Sequence, residues 1–293
     1  QGAETCTMVE MMFTWETLLK ITGETIAADR VEDIAFNSLP ASMTPDLRGL
    51  HYLTAANLIS CDRSGEHDFQ NSGTLLSYDP WSYRCCQHNV AFGWPYLAEH
   101  LWLATSDQGV AAVIYAPSSV ELKVGPRGQV VRLIEETSYP FSGKIVFTVV
   151  SAGEVAFPLY LRLPGWAQKA LISVNDEQPA EVKAPGKFAV LERRWKYGDQ
   201  ICLNLEESVQ FNFWPGIGQA ISIRRGPLWF SLEIKEIWEK YNGTESWPAW
   251  EVLPGSDWNY ALVIDRDNLA KNVRLIEKRE VAYQPFSLEN APL

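Results

Sequence analysis

The sequence predicts an α + β protein in which a helical first third gives way to antiparallel β-sandwich structure. Three observations predict it: apolar residues recur at helical spacing before residue 106, the period changes to two from Gly109 onward, and turn-forming residues then separate the apolar runs at regular intervals.

The first helix is read from Thr7 to Ile21, where Met8, Met12, Trp15 and Leu19 recur and Val9 and Phe13 widen the stripe into a broad buried face. Gly23 ends it. A second helix is expected from Thr25 to Leu39, with Ile26, Val31, Ile34 and Ala35 near one face and Pro40 closing it. The short loop between them predicts an antiparallel pair. From Pro40 to Arg84 the pattern loosens, with extended pieces at Leu50–Ala55 and Thr74–Tyr78 in a long polar loop of the kind that carries function. After Cys86, Val90, Trp94, Leu97 and Leu101 restore a helix that ends near Thr105, with Pro95 kinking it or beginning its second half.

Strands are read at Val110–Tyr115, Lys144–Val150, Pro158–Leu163, Leu171–Val174 and Ile201–Leu205, with hairpin turns at Asn175-Asp176 and Tyr197-Gly198-Asp199. The Pro- and Trp-rich stretch from Tyr241 to Trp258 reads as an irregular loop. The expected organisation is a helical unit over 1–105, a sandwich over 106–235 and a β or irregular region over 236–293.

A chain of 293 residues with 46% hydrophobic content can bury a substantial core. Its net charge of -11 repels phosphate backbones, which excludes a nucleic-acid partner and favours neutral or weakly charged substrates. No apolar run is long enough to span a bilayer, and Gln1 to Met12 lack the pattern of a signal peptide, so a soluble protein with no membrane partner is expected. The absence of an initiator Met and the immediate helical pattern are those expected of a truncated beginning.

Five cysteines are too few for a disulfide scaffold, and the neighbours Cys85 and Cys86 cannot easily bridge each other. Cys202 alternates with apolar residues and reads as a buried strand position; Cys61 is unassigned. Cys85-Cys86 stands just before a helix, where unpaired N–H groups and the positive end of the dipole favour a thiolate. Glu4-Thr5-Cys6 supplies a carboxylate and a thiol at another helix start. These four donors would suit tetrahedral zinc, although spacing alone leaves ordinary buried cysteines as the alternative.

Glu4-Thr5-Cys6 opening an apolar helix, Val31-Glu32-Asp33-Ile34-Ala35-Phe36-Asn37 and Arg84-Cys85-Cys86-Gln87-His88-Asn89 together resemble the glycoside hydrolase family of zinc-dependent, non-reducing-end β-L-arabinofuranosidases. The sandwich region adds Leu161-Arg162-Leu163-Pro164-Gly165-Trp166-Ala167, then Arg194-Trp195 with Gly198-Asp199, then Arg225-Gly226-Pro227. The resemblance implies that 1–105 is the C-terminal portion of an (α/α)6-barrel catalytic domain and 106–235 a β-sandwich middle domain.

It further implies a zinc ion held by Glu4, Cys6, Cys85 and Cys86, with Cys85 attacking the anomeric carbon to form a thioglycosyl-enzyme that water later cleaves with retention. Glu32 and Tyr52 match residues near the sugar, though Glu32 also reads as an ordinary helix-surface charge. His88 and Asn89 read as orienting residues or helix caps. The family's general acid/base glutamate precedes the position of Glu4, so this chain is expected to be an incomplete, inactive fragment. The implied substrate is a β-L-arabinofuranosyl end of a plant or glycoprotein glycan, or another rare sugar.

A different reading is a non-catalytic carbohydrate-binding or structural sandwich, with Trp166, Trp195, Trp214, Trp229 and Trp238 serving either stacking or core packing. An apolar face left by absent barrel helices is expected to self-associate, making a homo-oligomer a partner state to test. Cytoplasm and periplasm both remain open as locations.

Overall fold

In the computed structural model, which describes residues 2–64, 76–78, 81, 84–216, 220–276 and 286, the first apolar stripe forms helix α1, Thr5–Thr22. Val9, Met12, Glu16 and Leu19 face inward, and Gly23 ends the helix at φ 69° with its N–H on the Leu19 carbonyl. The stripe is narrower than expected, because Phe13 stays 41% exposed.

Helix α2, Thr25–Asp33, runs through a π-helical turn, Ile34–Ser38, into a short helix α3, Leu39–Ala41. Two expectations are corrected here. Ala27, Ala28, Val31 and Ala35 point inward while Ile26 faces out, and Pro40 does not close the helix. It sits in the first turn of α3, where a missing N–H removes no intrahelical bond.

Helix α4, Cys85–Glu99, contains Pro95 and stops earlier than expected, because Trp102–Ala104 is already a strand. Its inward face is Cys86, Gln87, Gly93 and Leu97, whereas Trp94 is partly exposed. The shift has a steric cause: a Cβ at Gly93 would lie 2.6 Å from Leu39 Cδ2, so the glycine marks where α4 approaches α3 most closely. Helix α1 packs against both α2 and α4. The resemblance implies only the C-terminal portion of an (α/α)6 barrel, and the helices among the described residues do not by themselves make a closed one. Met11, Phe13, Leu18 and Ile21 of α1 and Phe92 and Trp94 of α4 leave an apolar outer surface. No helix among the described residues is long and apolar enough to cross a membrane.

Strands β1, Ala3–Glu4, and β2, Leu53–Thr54, pair antiparallel with Glu4 opposite Leu53. Strand β3 is Leu76–Ser77; the rest of the extended piece expected there, 74–75, lies outside the described residues. The sandwich is built from β4 (Trp102–Ala104), β5 (Val110–Ala112), β6 (Ser118–Val124), β7 (Gln129–Thr137), β8 (Lys144–Ser151), β9 (Val155–Leu163), β10 (Ala170–Val174), β11 (Ala180–Val182), β12 (Lys187–Trp195) and β13 (Gln200–Leu205). One sheet has the order β11-β10-β13-β8-β7-β6 and the other β12-β9-β5-β4. Alternate residues of both enter one core, with Val131, Leu133 and Phe147 from the first and Leu159, Leu161 and Trp195 from the second.

The sheets are antiparallel except for β5, which pairs parallel with β9. Asn175, at φ 52°, turns β10 into β11 as a hairpin. The Tyr197–Asp199 turn is different from expectation: it joins β12 to β13, which lie in different sheets, and so makes a corner between layers.

Strands β14 (Val209–Trp214), β15 (Ala220–Arg225) and β16 (Leu228–Phe230) form a third sheet. Strands β17 (Glu236–Gly243) and β18 (Pro248–Pro254) pair with each other, and β18 also pairs with β3, which corrects the irregular loop expected from Tyr241 to Trp258. Aromatic and β-branched residues there favour a pleated surface, and Trp238 meets Trp250 edge-on at 5.8 Å.

Helix α2 is fastened to the sandwich by its polar side chains. Arg162 of β9 is fully buried; it donates to the Val113 carbonyl and forms short ion pairs with Asp29 and Glu32. The Gly165 N–H donates to Asp29 Oδ2 at 2.9 Å. Trp229 donates from its indole to Asp33 at 3.0 Å and from its backbone N–H to Asn37 Oδ1 at 2.8 Å, while the Asn37 amide donates to the Pro227 carbonyl at 3.0 Å.

Candidate metal centre

Glu4 is the N-cap residue of α1 and Cys6 lies in its first turn, while Cys85 and Cys86 open α4. Because α1 and α4 pack together, their N-termini meet, and each brings unpaired N–H groups and a positive dipole end to the same place. One of those donors is directly used: the Cys6 N–H points at Cys86 Sγ at 3.4 Å.

The four candidate ligand atoms of Glu4, Cys6, Cys85 and Cys86 all lie within 4.8 Å of one another. Cys6 Sγ is 3.0 Å from Glu4 Oε2 and 3.6 Å from Cys85 Sγ, and Cys85 Sγ is 3.7 Å from Glu4 Oε2. Tetrahedral zinc–sulfur bonds of about 2.3 Å place two sulfurs roughly 3.8 Å apart, so these separations fit one small cation with little rearrangement. The donor set of three sulfurs and one carboxylate is also of the type that zinc favours. None of the five cysteines forms a disulfide.

Burial raises the Cys6 thiol well above its ordinary range, and the neighbouring Glu4, Cys86 and Cys85 raise it further. Cys86 is likewise raised, first by burial. The Cys6 and Cys86 thiols therefore resist ionisation until a cation offsets the cost of charging them. Cys85 is the exposed member, Cys6 is half-buried and Cys86 is fully covered, so Cys85 is the most accessible of the three.

A short crossing strand frames the outer side. Thr5 Oγ1 donates to the His51 carbonyl at 2.5 Å and the Thr5 N–H to the Tyr52 carbonyl at 3.3 Å, which fixes the 51–54 segment across the start of α1. Tyr52 thereby carries its hydroxyl to 3.7 Å from Cys85 Sγ. That contact is the largest cause of a raised tyrosine pKa, with burial adding to it.

The structure thus gathers Glu4, Cys6, Cys85, Cys86 and Tyr52, but it puts Glu32 elsewhere. Its carboxylate is 1% exposed and paired with Arg162 in a buried contact between α2 and β9, and no contact among the described residues joins it to the cysteine cluster. Burial pushes Glu32 up to about 7, opposed by Arg162. His88 and Asn89 are not caps, since Arg84 occupies the N-cap position of α4 without a side-chain bond. Cys202 is half-buried on β13, and Cys61 lies 3.6 Å from His51 Nδ1.

Sequence reasoning missed Thr5 and the Asp29–Arg162 pair. A signal for the second was present: Asp29, Glu32 and Asp33 crowd one helix face among buried alanines, and Arg162 occupies a strand otherwise apolar, Phe157 to Leu163. Carboxylates and a guanidinium in such positions require each other.

Two family models match the chain. The β-L-arabinofuranosidase GH127 catalytic domain matches residues 1–99 and the GH127 middle domain residues 109–207, together well over half of the chain. Among solved structures, the chain is similar to one described as a glycoside hydrolase, with 21% identity, a TM-score of 0.65 and coverage of 86% of this chain and 49% of that one. It is similar to a GH127 β-L-arabinofuranosidase from Geobacillus stearothermophilus T6, with 20% identity, a TM-score of 0.66 and coverage of 86% and 47%. A GH127 β-arabinofuranosidase matches with 19% identity, a TM-score of 0.63 and coverage of 86% and 46%. At these identities the likeness establishes the fold alone, and the chain spans about half the length of these relatives. No curated protein matches it.

Proposed function

Because the chain belongs to the GH127 β-L-arabinofuranosidase family, we propose that it carries the nucleophile and metal ligands of a retaining glycosidase acting on non-reducing-end β-L-arabinofuranosyl units of plant or glycoprotein glycans. The observation that carries this reading is the convergence of one carboxylate and three sulfurs from two helix N-termini, with Cys85 alone exposed.

In the proposed reaction the Cys85 sulfur attacks the anomeric carbon as the glycosidic C–O bond breaks, and the electron pair leaves with the aglycone oxygen, which takes up a proton. Water then attacks the same carbon from the face the aglycone left, and the C–S pair returns to sulfur. Two inversions give retention. Tyr52, beside Cys85 Sγ, orients the sulfur and lines the sugar pocket. Protonation of the leaving group is assigned to none of the described residues.

Glu4, Cys6, Cys85 and Cys86 would hold zinc. When bound, it supplies positive charge that keeps the sulfurs deprotonated near neutral pH and makes the departing thiolate less basic. Cys86 and Cys6, being less exposed, anchor the centre while Cys85 meets substrate.

The test is made on the whole protein with an aryl β-L-arabinofuranoside. Cys85→Ser is expected to remove turnover, and mass spectrometry of the unsubstituted enzyme with a slow substrate is expected to find a pentosyl adduct on Cys85. A Cys85→Ser protein as active as the unsubstituted one would falsify the assignment.

A further inference from the structure

Two cavities flank the segment that holds Tyr52 over Cys85. One, of about 630 Å³, lies between the 58–61 loop and residues 231–238 and 252–254; the other, of about 440 Å³, lies beside Pro40 to Leu47 and Trp94. His51, Glu236 and Trp238 line both. We propose that this cleft binds a neutral oligosaccharide, with Trp238 as the stacking platform and Glu236 accepting hydrogen bonds from sugar hydroxyls.

Trp238 is 39% exposed yet fixed in place. Trp250 meets it edge-on at 5.8 Å, and its indole N–H donates to Glu236 Oε2 at 2.9 Å. A half-exposed indole locked from its edges is a preorganised surface for the apolar C–H face of a sugar ring, and the carboxylate beside it is an oriented acceptor. Ser60 and Ser231 add hydroxyls to the wall of the larger cavity, and aliphatic residues such as Leu232 and Leu253 complete it. Both volumes lie in the usual range for small-molecule sites, and a mostly apolar wall with a few converging polar groups is their usual chemistry.

Charge selects the class of sugar. Glu233 and Glu236 outnumber Lys235 along the larger cavity, and burial pulls His51 down to about 4, so that the imidazole is neutral near pH 7. The cleft therefore disfavours acidic saccharides. Its position gives it a use: His51 precedes Tyr52, and its carbonyl accepts the Thr5 hydroxyl beside the cysteine cluster. Within the proposed function the cleft would hold part of a neutral glycan beside the segment that carries Tyr52, although neither cavity is lined by Tyr52 or Cys85 themselves. That use rests on the proposed glycosidase function; the binding itself does not.

The experiment titrates Cys85→Ala protein with neutral arabino-oligosaccharides of two to four units, followed by tryptophan fluorescence and calorimetry. Saturable binding is expected, weakened at least about tenfold by Trp238→Ala, weakened severalfold by Glu236→Gln and largely kept by Trp238→Phe. Circular dichroism checks that each variant is folded. Absence of saturable binding, unchanged affinity in folded Trp238→Ala and Glu236→Gln proteins, or tighter binding of tri-galacturonate than of the neutral series overturns the proposal. Since Cys85 is already removed, an error in the nucleophile assignment leaves this result unaffected.

Discussion

Replacing Arg162 with methionine keeps much of the apolar volume but removes three charge-assisted or polar hydrogen bonds from a side chain with no solvent exposure. It also strands two carboxylates, of which Glu32 is almost fully buried and Asp29 is 13% exposed at its side chain. Removing one partner of such a network costs about 3–5 kcal/mol. At about 2–4 °C per kcal/mol, the melting temperature should fall by roughly 10 °C. The loss should depend on pH. Burial pushes Glu32 in the folded protein up to about 7, above the ordinary carboxylate value of 4.5, so its contribution to stability is complete below pH 4.5 and is lost as pH rises through 7. Arg162 is the largest of the influences that lower Glu32, ahead of the Tyr139 hydroxyl, so without it the folded value climbs further. The penalty of Arg162→Met should therefore grow above pH 7, by up to about 1.4 kcal/mol per pH unit. Differential scanning fluorimetry of both proteins from pH 5.5 to 8.5 measures this. A loss under about 1 kcal/mol, or one that is equal across that range, refutes the reasoning.

Elemental analysis of the purified protein should find one zinc per chain, and Cys86→Ser should lower metal affinity by at least about tenfold; full occupancy in that variant would remove Cys86 from the ligand set. Glu135 is buried and pushed up to about 8 by desolvation, so it stabilises the fold below pH 4.5 and loses that contribution as pH rises through 8. Glu135→Gln, which keeps an acceptor for the Ala116 N–H, should flatten the fall in melting temperature between pH 6.5 and 8.5, and an unchanged slope would show that Glu135 does not titrate there. Gly93→Ala should cost about 1 kcal/mol despite alanine's better helix propensity, because the new methyl meets Leu39 in a closed interface; a higher melting temperature would show that Leu39 can move aside.

The sandwich strands were legible because alternation survives wherever one face is buried: Ile145, Phe147 and Val149 point inward with nothing but period two to announce them. Helix faces were read less well. Ile26 and Trp94 looked like core residues by type, yet the faces actually buried carry Ala27, Ala28 and Gly93, whose smallness lets α2 and α4 approach α3 and the sandwich. Close packing rewards small residues that a count of large apolar ones overlooks. The turn at Tyr197–Asp199 was correct as a turn and wrong as a hairpin, because local chemistry fixes a reversal and only the tertiary core decides which sheet receives the next strand.

Glu32 shows that a family-like segment can also serve packing between the helical part and the sheets. The segment from Asp29 to Asn37 meets Arg162 and Gly165 on one side and Pro227 and Trp229 on the other, so family-like stretches of the helical part and of the β part are each other's partners. That clasp reaches the metal centre mechanically. The sandwich holds α2 through Arg162 and the third sheet holds it through Trp229, α2 packs on α1, and α1 presents Glu4 and Cys6 to the cysteines of α4. Ligands on separate helices can keep separations of 3.6–3.7 Å only if the helices themselves are braced, and here part of the bracing comes from β-structure that contributes no ligand. A change at Arg162 should therefore loosen the centre, although Arg162 touches none of its four donors.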